Sequence, residues 1–134
     1  MPHLVILYTH NLDTETDMTA LCRKLADTMR AVKDEAGQQV VPTAGTRVLA
    51  YPAAHSAVAD GQRDYAFAWL NLRMGLGRNE AVKKQAGDML LAATNAHFAP
   101  LFAKRHLGVT LQIDEGHEVY NGKAGNIHAL FGTT

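Results

Sequence analysis

The sequence predicts a domain that contains both strands and helices, an α/β fold in the broad sense and α+β in the narrower one. In it, a four-stranded mixed sheet carries two helices on one face. Three observations lead to this prediction. The chain has 134 residues, which is about the length of one domain. Its residues are 47% apolar and 19% charged, as is typical of a globular protein. Short segments of β-forming residues alternate with longer segments of helical period in the order β-α-β, loop, β-α-β, tail.

The first part of the chain contains two predicted strands around one helix. His3–Thr9 is short and rich in β-forming residues, which favours a mostly buried strand. An acidic cluster, favourable at the start of a helix, follows at Asp13, Glu15 and Asp17. The next apolar residues fall on one helical stripe: Met18, Leu21, Cys22, Leu25, Ala26, Met29 and Val32. We expect Gly37 to end this helix, and residues 46–51 to form a strand that Pro52 ends.

The second part repeats this order after a loop at residues 53–62. Residues 64–74 alternate between two faces and give the clearest strand signal. Asn79 is a suitable N-cap for the helix that follows. The apolar stripe of that helix is Val82, Ala86, Met89, Leu90, Ala93 and His97. We expect Pro100 to kink or end it, and residues 109–114 to form the last strand.

The organisation is therefore one domain, 1–134, with similar halves at about 2–52 and 61–115 and a tail at 116–134. The third strand presents Tyr65, Phe67 and Trp69 on one face. One layer of helices covers only one side of a sheet, so this aromatic face is expected to meet another copy of the chain.

Charge and composition exclude several classes of partner. Lys plus Arg and Asp plus Glu are 13 each, and a formal charge of zero argues against nucleic acid or an anionic membrane as the main partner. The apolar runs are too short to span a bilayer, and the amino-terminal residues do not resemble a signal peptide. The single cysteine, Cys22, can form no internal disulfide. We expect a soluble, cytoplasmic protein.

The most informative candidate for chemistry is Pro2. Initiator methionine is readily removed before a small residue, which would leave Pro2 with a free secondary amine. A terminal amine has a reference pKa of about 7.7–8.0, and burial or neighbouring cations lower it. Such a group is a useful base near neutral pH. Taken alone, however, a proline after methionine is most simply a coincidence.

Two arginines follow glycine-containing segments beside predicted strands. Arg47 follows Gly45-Thr46, and Arg78 follows Gly75-Leu76-Gly77. Guanidinium groups bind carboxylates through two parallel hydrogen bonds. Without further context, two other interpretations remain possible. The arginines could be solvated surface residues, or the glycine-rich segment before Arg78 could be a phosphate-binding loop, for which the motif signal is weak. The seven histidines show no metal-ligand spacing and Cys22 lies on an apolar stripe, so no metal site is predicted.

The sequence resembles the 5-carboxymethyl-2-hydroxymuconate Δ-isomerase family of the tautomerase superfamily from residue 2 to about 131. The motifs that carry the resemblance are Met1-Pro2-His3, Gly45-Thr46-Arg47, Asp60-Gly61-Gln62-Arg63-Asp64-Tyr65-Ala66-Phe67, Gly75-Leu76-Gly77-Arg78, Gln85-Ala86-Gly87 with Met89-Leu90, His97-Phe98 and Asn126-Ile127-His128-Ala129-Leu130. The resemblance implies a tautomerase-like homotrimer that uses no metal or organic cofactor. It also implies that Pro2 is the catalytic base and that Arg47 and Arg78 bind substrate carboxylates.

Three positions depart from the family pattern. Leu49 stands where relatives often have a second arginine, and Leu7 where many have an acidic residue. Gly125 replaces the first asparagine of the tail motif. The cation and the anion lost at Leu49 and Leu7 either compensate each other in charge or indicate a different substrate.

The expected function is an isomerase that moves a proton and a C=C bond in an unsaturated 2-hydroxy or 2-oxo dicarboxylic acid, in the bacterial breakdown of hydroxylated phenylacetates. One alternative is another reaction of the same superfamily: dehalogenation, hydration or decarboxylation. The other is a non-enzymatic trimeric module that binds small acids, in which Pro2 has no chemical role.

Overall fold

The computed structural model describes residues 2–132 and contains the predicted strands and helices. Its main elements are β1 (His3–Thr9), α1 (Met18–Arg30), β2 (Val48–Ala53), β3 (Tyr65–Gly75), α2 (Glu80–Phe102) and β4 (His106–Gly116). Short 3-10 turns occupy His10–Leu12, Thr43–Gly45 and His128–Phe131. The prediction of a four-stranded sheet with two helices is confirmed.

The four strands form one mixed sheet in the order β2-β1-β3-β4. β1 pairs parallel to β2, with Leu4 opposite Val48, and antiparallel to β3, with His3 opposite Arg73. β3 pairs parallel to β4. The amino-terminal ends of β1 and β2 therefore lie at the same end of the sheet as the carboxyl-terminal ends of β3 and β4. We call this the Pro2 end.

Both helices pack on one face of the sheet, as the sequence predicts. The even-numbered residues of β1 and β3 face the helices, because side chains alternate along a strand. α1 lies against β2, α2 lies against β4, and the two helices contact each other. The largest fully buried side chains of this core are Leu4, Ile6, Leu12, Leu21, Leu25, Met29, Leu70, Leu72, Leu90 and Phe98.

The opposite face of the sheet carries no helix within residues 2–132. Tyr65, Phe67 and Trp69 lie on it, as predicted, but each is half-buried by its neighbours on the sheet rather than bare. Its most exposed apolar side chains are Leu7, Leu49 and Tyr51, at 41%, 47% and 50%. The open apolar face therefore extends from β3 across β1 to the edge strand β2.

Both helices begin at a capping residue: Asn79 is the predicted N-cap of α2, and Asp17, from the acidic cluster noted in the sequence, caps α1. The Asp17 carboxylate accepts a hydrogen bond from the Ala20 amide at 3.0 Å, and the Asn79 side chain accepts one from the Val82 amide at 2.9 Å. Each bond satisfies an amide that the first helical turn leaves without a backbone partner.

The predicted end of α1 at Gly37 is wrong. α1 ends at Arg30, and Gly37 lies in a later turn closed by its amide bonding to the Asp34 carbonyl. The Gln85 side chain of α2 accepts a hydrogen bond from the Lys33 amide and donates one to the Lys33 carbonyl. This contact occupies the amide and carbonyl of Lys33, which a longer α1 would need for its own backbone hydrogen bonds.

The predicted roles of the two prolines also need correction. Pro52 does not end β2 but pairs with Tyr8 inside it, and the strand runs over Val48–Ala53 instead of 46–51. An edge strand tolerates proline because one side of its backbone needs no partner in the sheet. Pro100 does not end α2, which continues to Phe102. Phe98 and Leu101 are buried in the core, so packing maintains the last turn despite the missing donor.

The bounds of β3 and β4, the two strands of the second β-α-β segment, differ slightly from the predicted bounds. β3 is shifted by one residue from the predicted 64–74, and β4 is longer than the predicted 109–114. β4 lengthens because it pairs with β3 along its whole length, from His106 opposite Tyr65 to Gly116 opposite Gly75. No helix among residues 2–132 is long and apolar enough to cross a membrane.

Candidate active site

Pro2 and Arg47 precede adjacent parallel strands and therefore lie at the same end of the sheet. Pro2 is buried directly before β1. Arg47 directly precedes β2, and its carbonyl accepts a hydrogen bond from the Leu4 amide at 3.3 Å. This bond continues the β1–β2 pairing to the strand ends. The expected loss of Met1 concerns a residue outside those that the structure describes.

Arg78 also lies at the Pro2 end of the sheet, because it follows the carboxyl-terminal end of β3. The chain leaves β3 at Gly75 and turns into α2 through Gly77, whose φ of +115° is a conformation that side-chain-bearing residues rarely adopt. Arg78 is half-buried, and its Nη1 donates a weak hydrogen bond of 3.4 Å to the Gly75 carbonyl. The three site residues predicted from the sequence thus all belong to the Pro2 end.

A cavity of about 560 Å³ lies beside Arg47. His3 and Ala44 form part of its wall with Arg47, and the rest comes from the tail: Glu118, Asn121, Gly122, Lys123, Ala124, Gly125, Ile127 and His128. No individual role was predicted from the sequence for these tail residues. Their motif was informative only through the family resemblance, because nothing in the local pattern indicates where an irregular tail folds.

The surroundings of this cavity shift the pKa of the His3 imidazole. Partial burial lowers the pKa of His3, and the nearby Arg47 guanidinium lowers it further, while Glu118 acts in the opposite direction. The lowered pKa favours the neutral imidazole, which can act as a hydrogen-bonding group, although the His3 side chain is largely exposed.

Several cations of the chain have carboxylate partners. Arg23 pairs with Asp27, and Lys84 pairs with Asp88. Arg105, whose side chain is 8% exposed, lies between Glu15 and Asp64 near the opposite end of the sheet. These pairs already satisfy the cations that they contain.

Four cations of the Pro2 end differ in this respect, although Lys83 at the same end pairs with Glu115 of β4. Within residues 2–132, no carboxylate pairs with Arg47, Arg73, Arg78 or Lys123. Unpaired guanidinium groups gathered at one end of a sheet are suited to bind an anionic ligand, carboxylates in particular.

Arg73 is a candidate residue that sequence reasoning missed. It lies opposite His3 in the sheet, on the open face. A Cβ added at Gly116 of β4 would overlap Arg73 Nη2, so the glycine makes room for the guanidinium. The pairing of β3 with β4 creates this contact, and no signal in the sequence indicates it.

The positions that depart from the family pattern are also placed by the structure. Leu7 and Leu49 lie on the open apolar face and not in the cavity beside Arg47. Gly125 lines that cavity, and a Cβ added there meets nothing within 4 Å.

The structure also describes the Cys22 thiol and the side chains that could bind a metal ion. Burial raises the pKa of the half-buried Cys22 thiol, which disfavours a thiolate nucleophile. Among the described residues, no cluster of three or more His, Cys, Asp or Glu side chains could hold a metal ion.

The fold and the site define a class of protein. Paired β-α-β units share one mixed sheet, and a buried proline and unpaired arginines gather at its end. This fold occurs in a solved structure of fused 4-OT (TM-score 0.57, 21% identity, covering 92% of this chain and 90% of that one). It also occurs in a macrophage migration inhibitory factor-like protein from Entamoeba histolytica (TM-score 0.51, 10% identity, covering 86% and 90%). The protein therefore has a tautomerase-like fold.

Closer relatives narrow the class to one family. The family described as 5-carboxymethyl-2-hydroxymuconate isomerase matches residues 2–131. The Escherichia coli 5-carboxymethyl-2-hydroxymuconate Delta-isomerase is 35% identical over 131 residues, covering 98% of this chain and 99% of the relative. The chain belongs to the 5-carboxymethyl-2-hydroxymuconate isomerase family and is an isomerase.

Two solved structures are similar over nearly the whole length. A 5-carboxymethyl-2-hydroxymuconate delta-isomerase is 56% identical with a TM-score of 0.95, covering 100% of this chain and 95% of that one. The 5-carboxymethyl-2-hydroxymuconate isomerase from Deinococcus radiodurans R1 is 38% identical with a TM-score of 0.85, covering 98% and 95%.

Proposed function

We propose that this isomerase converts 5-carboxymethyl-2-hydroxymuconate or a close relative, with Pro2 as the general acid and base after removal of Met1. The observation that carries the proposal is the position of buried Pro2 at the end of the sheet where Arg47 and Arg78 have no carboxylate partner. Within this proposal, the reaction belongs to the cytoplasmic breakdown of hydroxylated aromatic acids, as the family resemblance implies.

The proposed reaction is an internal proton transfer. The neutral amine of Pro2 removes the proton of the 2-hydroxyl group, the O–H electrons form the C=O bond, and the conjugated double bonds shift. Pro2 then returns the proton to a distant carbon of the chain. Substrate and product have the same atoms and oxidation level, so the step needs no metal or organic cofactor.

Arg47 and Arg78 bind and polarise the substrate in this proposal. Each guanidinium can hold one carboxylate through two hydrogen bonds. A guanidinium close to the 2-oxygen also stabilises the negative charge that develops there as the proton leaves. Desolvation of Pro2 in its buried position favours the neutral amine, which is the form that the reaction requires.

The test is a substrate panel followed by ultraviolet absorbance. We expect turnover of 5-carboxymethyl-2-hydroxymuconate, with slower turnover of the simpler 2-hydroxymuconate. Small halogenated, hydratable and decarboxylatable unsaturated acids are included in the same panel. Turnover of one of those acids instead of the muconates would assign another reaction of the superfamily. Binding of carboxylates without any turnover would favour the non-enzymatic module.

We further propose that the chain forms a homotrimer through the open face of the sheet. Leu7, Leu49 and Tyr51 expose a large apolar surface there, and burial of such a surface favours association. The fused 4-OT protein with the same fold is a symmetric trimer.

We expect sedimentation at micromolar concentration to give the mass of a trimer. Leu49→Asp should dissociate it, because a charge would replace an apolar contact. Leu91→Asp is a matched control, since Leu91 is a similarly exposed leucine, at 40%, on α2. A monomeric wild-type protein, or equal dissociation by both substitutions, would contradict this interface.

A further inference from the structure

The cavity beside Arg47 has walls of two different origins. His3, Ala44 and Arg47 come from the sheet and the segment that enters β2, whereas Lys123 and its neighbours come from the tail. The tail is held in place because the His128–Phe131 turn packs against the Thr43–Gly45 turn. Lys123 is thereby brought to the same cavity as Arg47, although the two residues are far apart in the chain.

The charges of the cavity are not balanced. With its histidines counted as neutral, the lining carries two cations, Arg47 and Lys123, and one carboxylate, Glu118. In the part of the chain that the structure describes, neither Lys123 nor Glu118 makes a side-chain hydrogen bond or an ion pair. An excess of one positive charge in a concave site attracts an anionic ligand group.

The dimensions and the chemistry agree with a small polycarboxylate. A volume of about 560 Å³ lies in the range of ordinary small-molecule sites. The substrate of the proposed function has three carboxylates, two of the muconate chain and one of the carboxymethyl branch. In the proposed function, two of them are bound by Arg47, which lines the cavity, and by Arg78, which lies outside that lining at the same end of the sheet. The third is left for another unpaired cation of this end. Lys123 lines the cavity together with Arg47, whereas Arg73 does not.

We propose that Lys123 binds the carboxymethyl carboxylate of the substrate and makes the tail the specificity-determining wall of the site. This inference rests on the proposed function. Lys123 acts as a single flexible ammonium group, which suits a carboxylate on a rotatable branch, whereas the conjugated chain is held by planar guanidinium groups. The tail thus selects substrates that carry the branch over those that lack it.

The test measures the ratio of kcat/KM for 5-carboxymethyl-2-hydroxymuconate to kcat/KM for 2-hydroxymuconate. We expect Lys123→Gln to lower this ratio about tenfold, mainly through KM for the branched substrate, since one charge-assisted contact is lost. Lys123→Arg should restore most of it. Lys104→Gln is the control, because Lys104 is an exposed lysine beside Arg105, away from this cavity. An unchanged ratio in Lys123→Gln would overturn the proposal.

A binding experiment separates failure of this inference from failure of the proposed function. Calorimetry compares propane-1,2,3-tricarboxylate with glutarate on the wild-type protein and on Lys123→Gln. If the wild type turns over neither muconate, the proposed function is wrong, and calorimetry decides the subsite independently. We expect Lys123→Gln to weaken the tricarboxylate about tenfold more than the dicarboxylate. Equal weakening, or no binding of the tricarboxylate to the wild type, would overturn the subsite.

Discussion

Retention of Met1 is expected to abolish turnover without unfolding the protein. With Met1 attached, the nitrogen of Pro2 is a tertiary amide, which carries no proton and is not basic near neutral pH. Removal of Met1 converts it to a secondary amine, with a reference pKa of about 7.7–8.0 for a terminal amine. Because β1 starts at His3, one extra residue before Pro2 leaves the strand and its pairing intact.

The two species are best compared within one preparation. A cleavable amino-terminal tag that leaves Pro2 as the first residue gives both forms, and intact mass establishes which is present. Activity should appear only after cleavage, while circular dichroism and the unfolding temperature stay constant. The kcat/KM of the cleaved form should fall as the pH is lowered through the pKa of its amine, because the protonated nitrogen cannot accept a proton. Equal turnover by an uncleaved sample would exclude Pro2 as the base.

Substitution of either site arginine by alanine should lower kcat/KM by more than tenfold. Each change removes a charge-assisted contact worth about 1.5–3 kcal/mol. Arg→Lys should restore only part of the rate, since an ammonium group cannot reproduce the paired hydrogen bonds of a guanidinium. Steady-state kinetics on the muconate substrates measures both effects.

Arg63→Ala is the matched control for this pair. Arg63 is an exposed arginine in the segment just before β3 begins, and that strand begins at the end of the sheet opposite Pro2. Its loss should leave kcat/KM unchanged. Wild-type rates in both Arg47→Ala and Arg78→Ala would instead assign those two arginines to the solvated surface.

Local sequence patterns predicted the elements well because local forces form them. Alternation along β3 identifies its buried face, and the side chains of Asp17 and Asn79 start the helices through contacts within one turn. The errors occur where a distant residue competes with a local preference. Gln85 binds the backbone after α1, and the edge position of β2 accommodates Pro52.

The number and type of elements and the helix-facing side of the sheet could be predicted from the sequence, because hydrophobic period and capping are properties of neighbouring residues. The three candidate site residues were predicted from short motifs and the family resemblance. The position of Pro2, Arg47 and Arg78 at one end of the sheet, with Arg73 and Lys123 near them, could not be predicted from local patterns. That arrangement depends on the order β2-β1-β3-β4 and on the tail packing at the Thr43–Gly45 turn. Both are contacts between residues far apart in the chain, and their energies arise only when separate elements pack together.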